Sequence, residues 1–226
     1  MIAPPIVKPI VKPIVKSTVK PTVATTVATT GPSEEMTFDE FMTSYDGSWA
    51  EWVDGKVIEM TPPGIPHQDL SLFLAKLIGL FVDIRRLGKV LAAPALMRIP
   101  GMDRGREPDL LFVATAHMDR FTRTHLNGPA DLVVEIVSPE SVGRDRGEKF
   151  VEYEAAGIPE YWLIDPDRER AEFYQLDARG HYHDAGVDAD GRYHSQVLAG
   201  LWVKPDWFWQ DPLPGALDAL REIGVI

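Results

Sequence analysis

Apolar positions recur along this chain with two different periods. From His67 to Leu87 they fall at 70, 73, 74, 77, 78, 80, 81 and 84, the spacing of one buried helix face, with Gly88 as the expected stop. P-D-L-L-F-V (108–113) and D-L-V-V-E-I-V (131–137) are short apolar runs that predict central strands, and K-V-L-A-A-P-A-L-M-R-I-P (89–100) predicts a third. W-A-E-W-V-D-G-K-V-I-E-M (49–60) predicts two short strands about an Asp54-Gly55 turn. Thr37 followed by Glu40 is a capping box for a helix over Phe38 to Tyr45. Gly143 to Ala156 predicts a helix closed by Gly157, and Glu160 to Ile164 a further strand, so this helix lies in a crossover. From Arg170 onward A-E-F-Y-Q-L, H-Y-H-D-A and R-Y-H-S-Q-V-L alternate as hairpin strands, with turns at Asp177–Gly180 and Asp190-Gly191. The fold class expected is α/β of the α+β kind: a mixed central β-sheet flanked by helices, with an added C-terminal β-hairpin region.

The first 33 residues follow neither period. Residues 6–29 form six tetrads, I-V-K-P, I-V-K-P, I-V-K-S, T-V-K-P, T-V-A-T and T-V-A-T, whose prolines block helix and central strand. A disordered low-complexity tail over 1–33 and a single domain over 34–226 are expected, with a tail partner the sequence does not identify. The longest apolar stretch, Leu70 to Val82, is interrupted by Lys76 and Gly79, so no membrane span is expected. Cysteine is absent, which excludes thiolate metal sites and cysteine nucleophiles; with no export signal the expected compartment is cytoplasmic. Net charge is −11, and because the four lysines of the tail face no acids there, residues 34–226 carry 19 basic against 34 acidic residues, a balance of −15. That excludes a surface that attracts DNA as a whole. A local basic path through Arg98, Arg104 and Arg106 could still guide a phosphate backbone.

Two acids interrupt the apolar strands. Asp109 shares a strand face with Leu111 and Val113, and Glu135 shares one with Val133 and Val137. An ionised carboxylate among such neighbours costs several kcal/mol unless a cation or a set of donors compensates it. Lys149 lies one predicted helix later, four residues after Asp145 and four before Tyr153, so Asp145, Lys149 and Tyr153 form one helix face. If that face meets the sheet, its ammonium can stabilise a developing negative charge or position a water. Taken alone, the spacing fits a solvated i,i+4 ion pair better.

At these residues the chain resembles the PD-(D/E)XK nuclease superfamily, and more closely its bacterial Uma-two family of restriction-type endonucleases. The likeness covers most of Met36 to about Trp202. It rests on E-P-D-L-L-F-V, on D-L-V-V-E-I-V-S-P-E-S and on D-R-G-E-K-F-V-E-Y-E-A-A-G-I-P-E-Y-W-L-I-D-P. It implies a restriction-endonuclease-like core and metal-dependent hydrolysis of phosphodiester bonds in DNA. Mg²⁺, with Mn²⁺ as a substitute, would be held by Asp109 and Glu135. Glu51 in E-W-V-D-G-K-V would be a third acid or an orienter, and Lys149 the catalytic cation. The superfamily lysine falls two residues after the second acid, where this chain has Val137; the resemblance moves that role to Lys149. A catalytically degenerate nuclease fold acting as a dimeric binding or scaffold module is the alternative.

Weaker signals complete the reading. His67 opens the long helix and is expected to cap or pack there, or to face the site mouth. His181, His183 and His194 lack a further ligand for zinc and are expected as exposed hairpin residues. Trp202, Trp207 and Trp209 could stack on unpaired bases, but fit better a sealed core or a homodimer contact.

Overall fold

Local chemistry starts the first helix and the first hairpin as expected. The Thr37 N–H and Oγ1 donate to Glu40 Oε2 at 2.8 and 2.7 Å, and the Glu40 N–H returns to Thr37 Oγ1 at 3.3 Å. This box opens α1 (Phe38–Ser44). β1 (Ala50–Val53) and β2 (Lys56–Glu59) form a hairpin around Asp54 and Gly55, both of which take positive φ, 48° and 75°. α2 (Ile65–Arg85) follows and buries Leu70, Phe73, Leu74, Leu77, Ile78, Phe81 and Val82, each worth roughly 1.5–3 kcal/mol of apolar transfer. It ends at Arg86 in the left-handed conformation, not at Gly88. Gly88 instead opens β3 (Gly88–Ala92), where a Cβ would lie 2.1 Å from the Val113 carbonyl oxygen. Close strand approach, not helix termination, requires glycine there. The computed structural model describes residues 35–44, 49–139 and 141–226; the tail expected over 1–33 and the expected helix end at Tyr45 lie outside them.

The strand expected over 89–100 is two strands in different sheets. It breaks at Pro94, which cannot donate to a ladder, and resumes as β4 (Met97–Ile99). β5 (Arg104–Arg106), β6 (Leu110–Ala114), β7 (Leu126–Asn127) and β8 (Leu132–Ile136) come next. A π-helical turn, Arg144–Glu148, then leads into α3 (Lys149–Ala155). β9 (Glu160–Asp165), β10 (Arg170–Leu176), β11 (Tyr182–Asp184), β12 (Tyr193–His194), β13 (Trp202–Val203) and α4 (Ala216–Ile223) complete the order. The larger sheet runs β11-β10-β9-β8-β6-β3, with β8 and β9 parallel across the α3 crossover; a second runs β2-β1-β5-β4-β7.

The last expected hairpin is rearranged. R-Y-H-S-Q-V-L does not extend the β10–β11 ladder; β12 pairs with β13 instead, with Tyr193 opposite Val203. The buried Glu160 carboxylate explains the bend. It accepts from Trp162 Nε1, Tyr193 Oη, Ser195 Oγ and the Gln196 and Val197 N–H groups, all at 2.6–2.9 Å. Those two amides are therefore spent on Glu160 rather than on a strand.

One face of the larger sheet, with Leu110, Phe112, Leu132, Val134, Ile136, Trp162 and Ile164, packs against α2 and α4. Trp207 is buried in that core, and Trp202 and Trp209, partly buried, pack on it, so the tryptophans seal the domain as expected. By length and composition α2 could cross a membrane; in the fold its apolar side faces this core. The opposite sheet face carries Leu111, Val113, Val133, Val137, Tyr161 and Leu163 beneath Tyr153, Met97 and Ile99.

Candidate active site

β6 and β8 pair antiparallel, with Leu110 opposite Val134 and Leu111 opposite Val133. One further step in that register sets Asp109 beside Glu135, on the face that carries Leu111 and Val133. The Ile136 N–H donates to Asp109 Oδ2 at 2.6 Å, so the acid closes the strand pair where the ladder ends. Asp109 Oδ1 lies 3.3 Å from His67 Nε2. Glu135 Oε1 accepts from Lys149 Nζ at 2.8 Å and from Tyr153 Oη at 2.7 Å.

Lys149 reaches the sheet because its helix face does. Asp145, Lys149 and Tyr153 are 2, 1 and 0 % exposed, so the row expected from their spacing faces inward and the solvated ion pair is excluded. The Lys149 N–H bonds to the Arg144 carbonyl, the i→i−5 link of the π turn; such turns are frequent at functional sites. The ammonium also lies 3.1 Å from Glu51 Oε1 and 3.4 Å from Asp145 Oδ1. Burial opposes its charge, but Glu135, Glu51 and Asp145 hold Lys149 well above its ordinary pKa. Burial pushes the Glu135 carboxyl up to about 8; Lys149 opposes this, and Asp145, Asp109 and Glu51 reinforce it.

Glu51 stands behind the ammonium. Its Oε2 accepts from Arg106 Nη1 at 2.8 Å, and its Oε1 faces Lys149 and the Glu107 N–H. Burial would raise its pKa, yet Lys149 and Arg106 leave it lowered. Of the two roles expected for Glu51, these contacts fit the orienter. Arg106 itself is fully buried, and its Nε and Nη2 grip both oxygens of Glu152 at 2.8 Å. Arg106 therefore drops out of the basic path expected with Arg98 and Arg104. Arg104 pairs with Asp54 and Glu152, and Arg98 lies over the Phe38 ring at 4.4 Å. Each cation has a partner within the chain.

A cavity of about 250 Å³ opens over the paired acids, with Glu107, Asp109, Glu135, Asp145 and Lys149 in its walls and His67 and Trp49 also lining it. His67 does not cap α2; Gly64 does, without a side-chain bond, and the imidazole looks onto Asp109. Nothing in the local sequence fixed that direction, because it follows from how the helix start docks on the sheet. His181 and His194 lie on the surface against Glu154 and Asp188, as expected of hairpin histidines. Among the described residues no three acid or histidine side chains already form a metal cage. Two adjacent carboxylates still fit Mg²⁺, which takes one or two and keeps several waters. Asp145 Oδ1, buried without a hydrogen bond, fits a cation as well.

The family model of Uma2, described as "Putative restriction endonuclease", matches residues 38–208. The chain belongs to the Uma2 family. No curated protein matches it. A solved chain described as a putative nuclease belonging to DUF820 from Anabaena variabilis ATCC 29413 is 19 % identical with a TM-score of 0.62, over 77 % of this chain and 97 % of that one. At that identity the likeness is one of fold, and it agrees with the restriction-endonuclease-like core expected for this Uma2 chain.

Proposed function

We propose that this Uma2 protein is a divalent-metal-dependent endonuclease that hydrolyses phosphodiester bonds in DNA. The observation that carries the reading is the pairing of Asp109 with Glu135 in a cavity wall, with the Lys149 ammonium 2.8 Å from Glu135 Oε1. Asp109 and Glu135 would hold Mg²⁺, or Mn²⁺ in its place. When bound, the ion supplies charge neutralisation at the phosphate and a more acidic water. The side chains do the rest. Lys149 presents a fixed positive charge to the developing negative charge or to the attacking water. Glu51, anchored by Arg106, holds the other side of that ammonium, and Tyr153 fixes the rotamer of Glu135. In this reading two copies serve one duplex, one for each strand.

Supercoiled plasmid incubated with Mg²⁺, Mn²⁺ or a chelator tests it. Metal-dependent nicking is expected, and its loss in Asp109→Asn, Glu135→Gln and Lys149→Ala. Nicking at the wild-type rate by both acid variants would defeat the assignment.

One observation favours a second reading. Lys149 is shared among three carboxylates, and Arg104 and Arg106 are committed to internal ion pairs, which suits a nuclease-fold binding or scaffold module. That reading predicts no turnover of any nucleic acid with either metal.

A further inference from the structure

The resemblance gives the third acid of the site to Glu51, but the side chains are arranged otherwise. Both Glu51 oxygens are engaged, Oε2 by Arg106 at 2.8 Å and Oε1 by Lys149 at 3.1 Å, and Glu51 does not line the cavity. Asp145 does line it, together with Asp109 and Glu135. Its side chain is 2 % exposed, yet its Oδ1 has no hydrogen-bond partner; the ammonium of Lys149 stands 3.4 Å away. Lys149 already serves Glu135 and Glu51 at shorter distances, so Asp145 is the least compensated of its three acids. Folded proteins leave few buried polar atoms unsatisfied, and an unsatisfied oxygen on a carboxylate that lines a cavity calls for a further positive partner there. The π turn places Asp145 there while keeping it on the inward face with Lys149.

We propose that Asp145 is the third carboxylate facing the cation bound at Asp109 and Glu135, in the place the resemblance gives to Glu51. This rests on the metal-dependent reading above. Glu51 then acts only through Lys149.

Calorimetric titration of the full-length chain with Mn²⁺ separates the two acids. Asp145→Asn is expected to weaken binding by roughly 10–100-fold, the range seen when a partner of a metal site is removed, while Glu51→Gln changes it by less than about threefold, a shift within the spread of such context-dependent effects. The loss should persist in a Lys149→Met background, where no ammonium is left for Asp145 to act through. Cooperative thermal unfolding of each metal-free variant checks its fold, and Asp145→Ser replaces Asp145→Asn if the latter fails that check. Wild-type affinity in the Asp145 variant, a larger loss in Glu51→Gln, or disappearance of the effect without Lys149 would overturn the assignment while leaving the metal site standing. If the wild-type chain shows no saturable Mn²⁺ binding, the metal-dependent reading falls and takes Asp145 with it.

Discussion

Lys149 Nζ and Glu135 Oε1 meet at 2.8 Å where neither side chain has more than a few per cent exposure to water. Removing one member of such a pair strands the other. Lys149→Met leaves Glu51 to Arg106 alone and takes the ammonium from Asp145 and from Glu135, which keeps its proton below about pH 8, and should cost about 3 kcal/mol of folding free energy. Urea unfolding measures this, and an unchanged midpoint would contradict the burial of the pair. Turnover should vanish in the same variant.

Proton release should accompany metal binding. Burial raises Glu135 to about 8 from an ordinary value of 4.5, so the folded metal-free chain keeps a proton that the unfolded chain has lost between those pH values. Stability from this group is full below pH 4.5 and is lost as pH rises through about 8. A metal needs the carboxylate, so binding at pH 7 should release up to about one proton, and progressively less above pH 8. Titrations in two buffers of unlike ionisation enthalpy count that proton. Identical apparent enthalpies at pH 7 would mean that Glu135 is already ionised.

His67 should matter through Asp109. With Ile136 N–H on one carboxylate oxygen and His67 Nε2 3.3 Å from the other, Asp109 is held from both sides. His67→Ala should lower Mn²⁺ affinity by roughly tenfold, at the low end for a supporting partner, with little change in thermal midpoint. His67→Gln, which keeps a donor, should recover part of the loss. Full affinity in His67→Ala would reduce the imidazole to packing.

Glu160 offers a control away from the chemistry. It pairs with Leu132, at the end of β8 remote from Glu135 and Ile136. Glu160→Leu strands the indole, two hydroxyls and two amides that now donate to it. At about 1–3 kcal/mol for each unsatisfied buried group, the loss should exceed 3 kcal/mol. Metal affinity of whatever fraction remains folded should match the wild type; a weaker site would mean that β9 transmits strain to β8.

What the sequence made legible was short in range. Alternation set Asp109 and Glu135 each on the apolar face of its own strand, and i,i+4 spacing aligned Asp145, Lys149 and Tyr153, because strand and helix periods are local; the register that brings the two acids side by side is not. Arg106 looked like a surface guide because its partners, Glu51 and Glu152, lie 55 and 46 residues away. The departure of β4 into a second sheet is likewise a pairing choice that no window of 89–100 contains. α4 went unassigned, although Ala216–Ile223 lies between Gly215 and Gly224 and carries an apolar face with Ala219 and Leu220 buried. Its signal was one of boundaries, weaker than that of the 21-residue α2.

Arg106 belongs to β5 in one sheet and clasps Glu152 on α3, the helix that lies on the other. Neither half can be exchanged as a separate cassette. A graft of β1 to β5 from a relative would need a carboxylate at position 152 of the recipient, or the imported guanidinium would lose the partner that holds its Nε and Nη2.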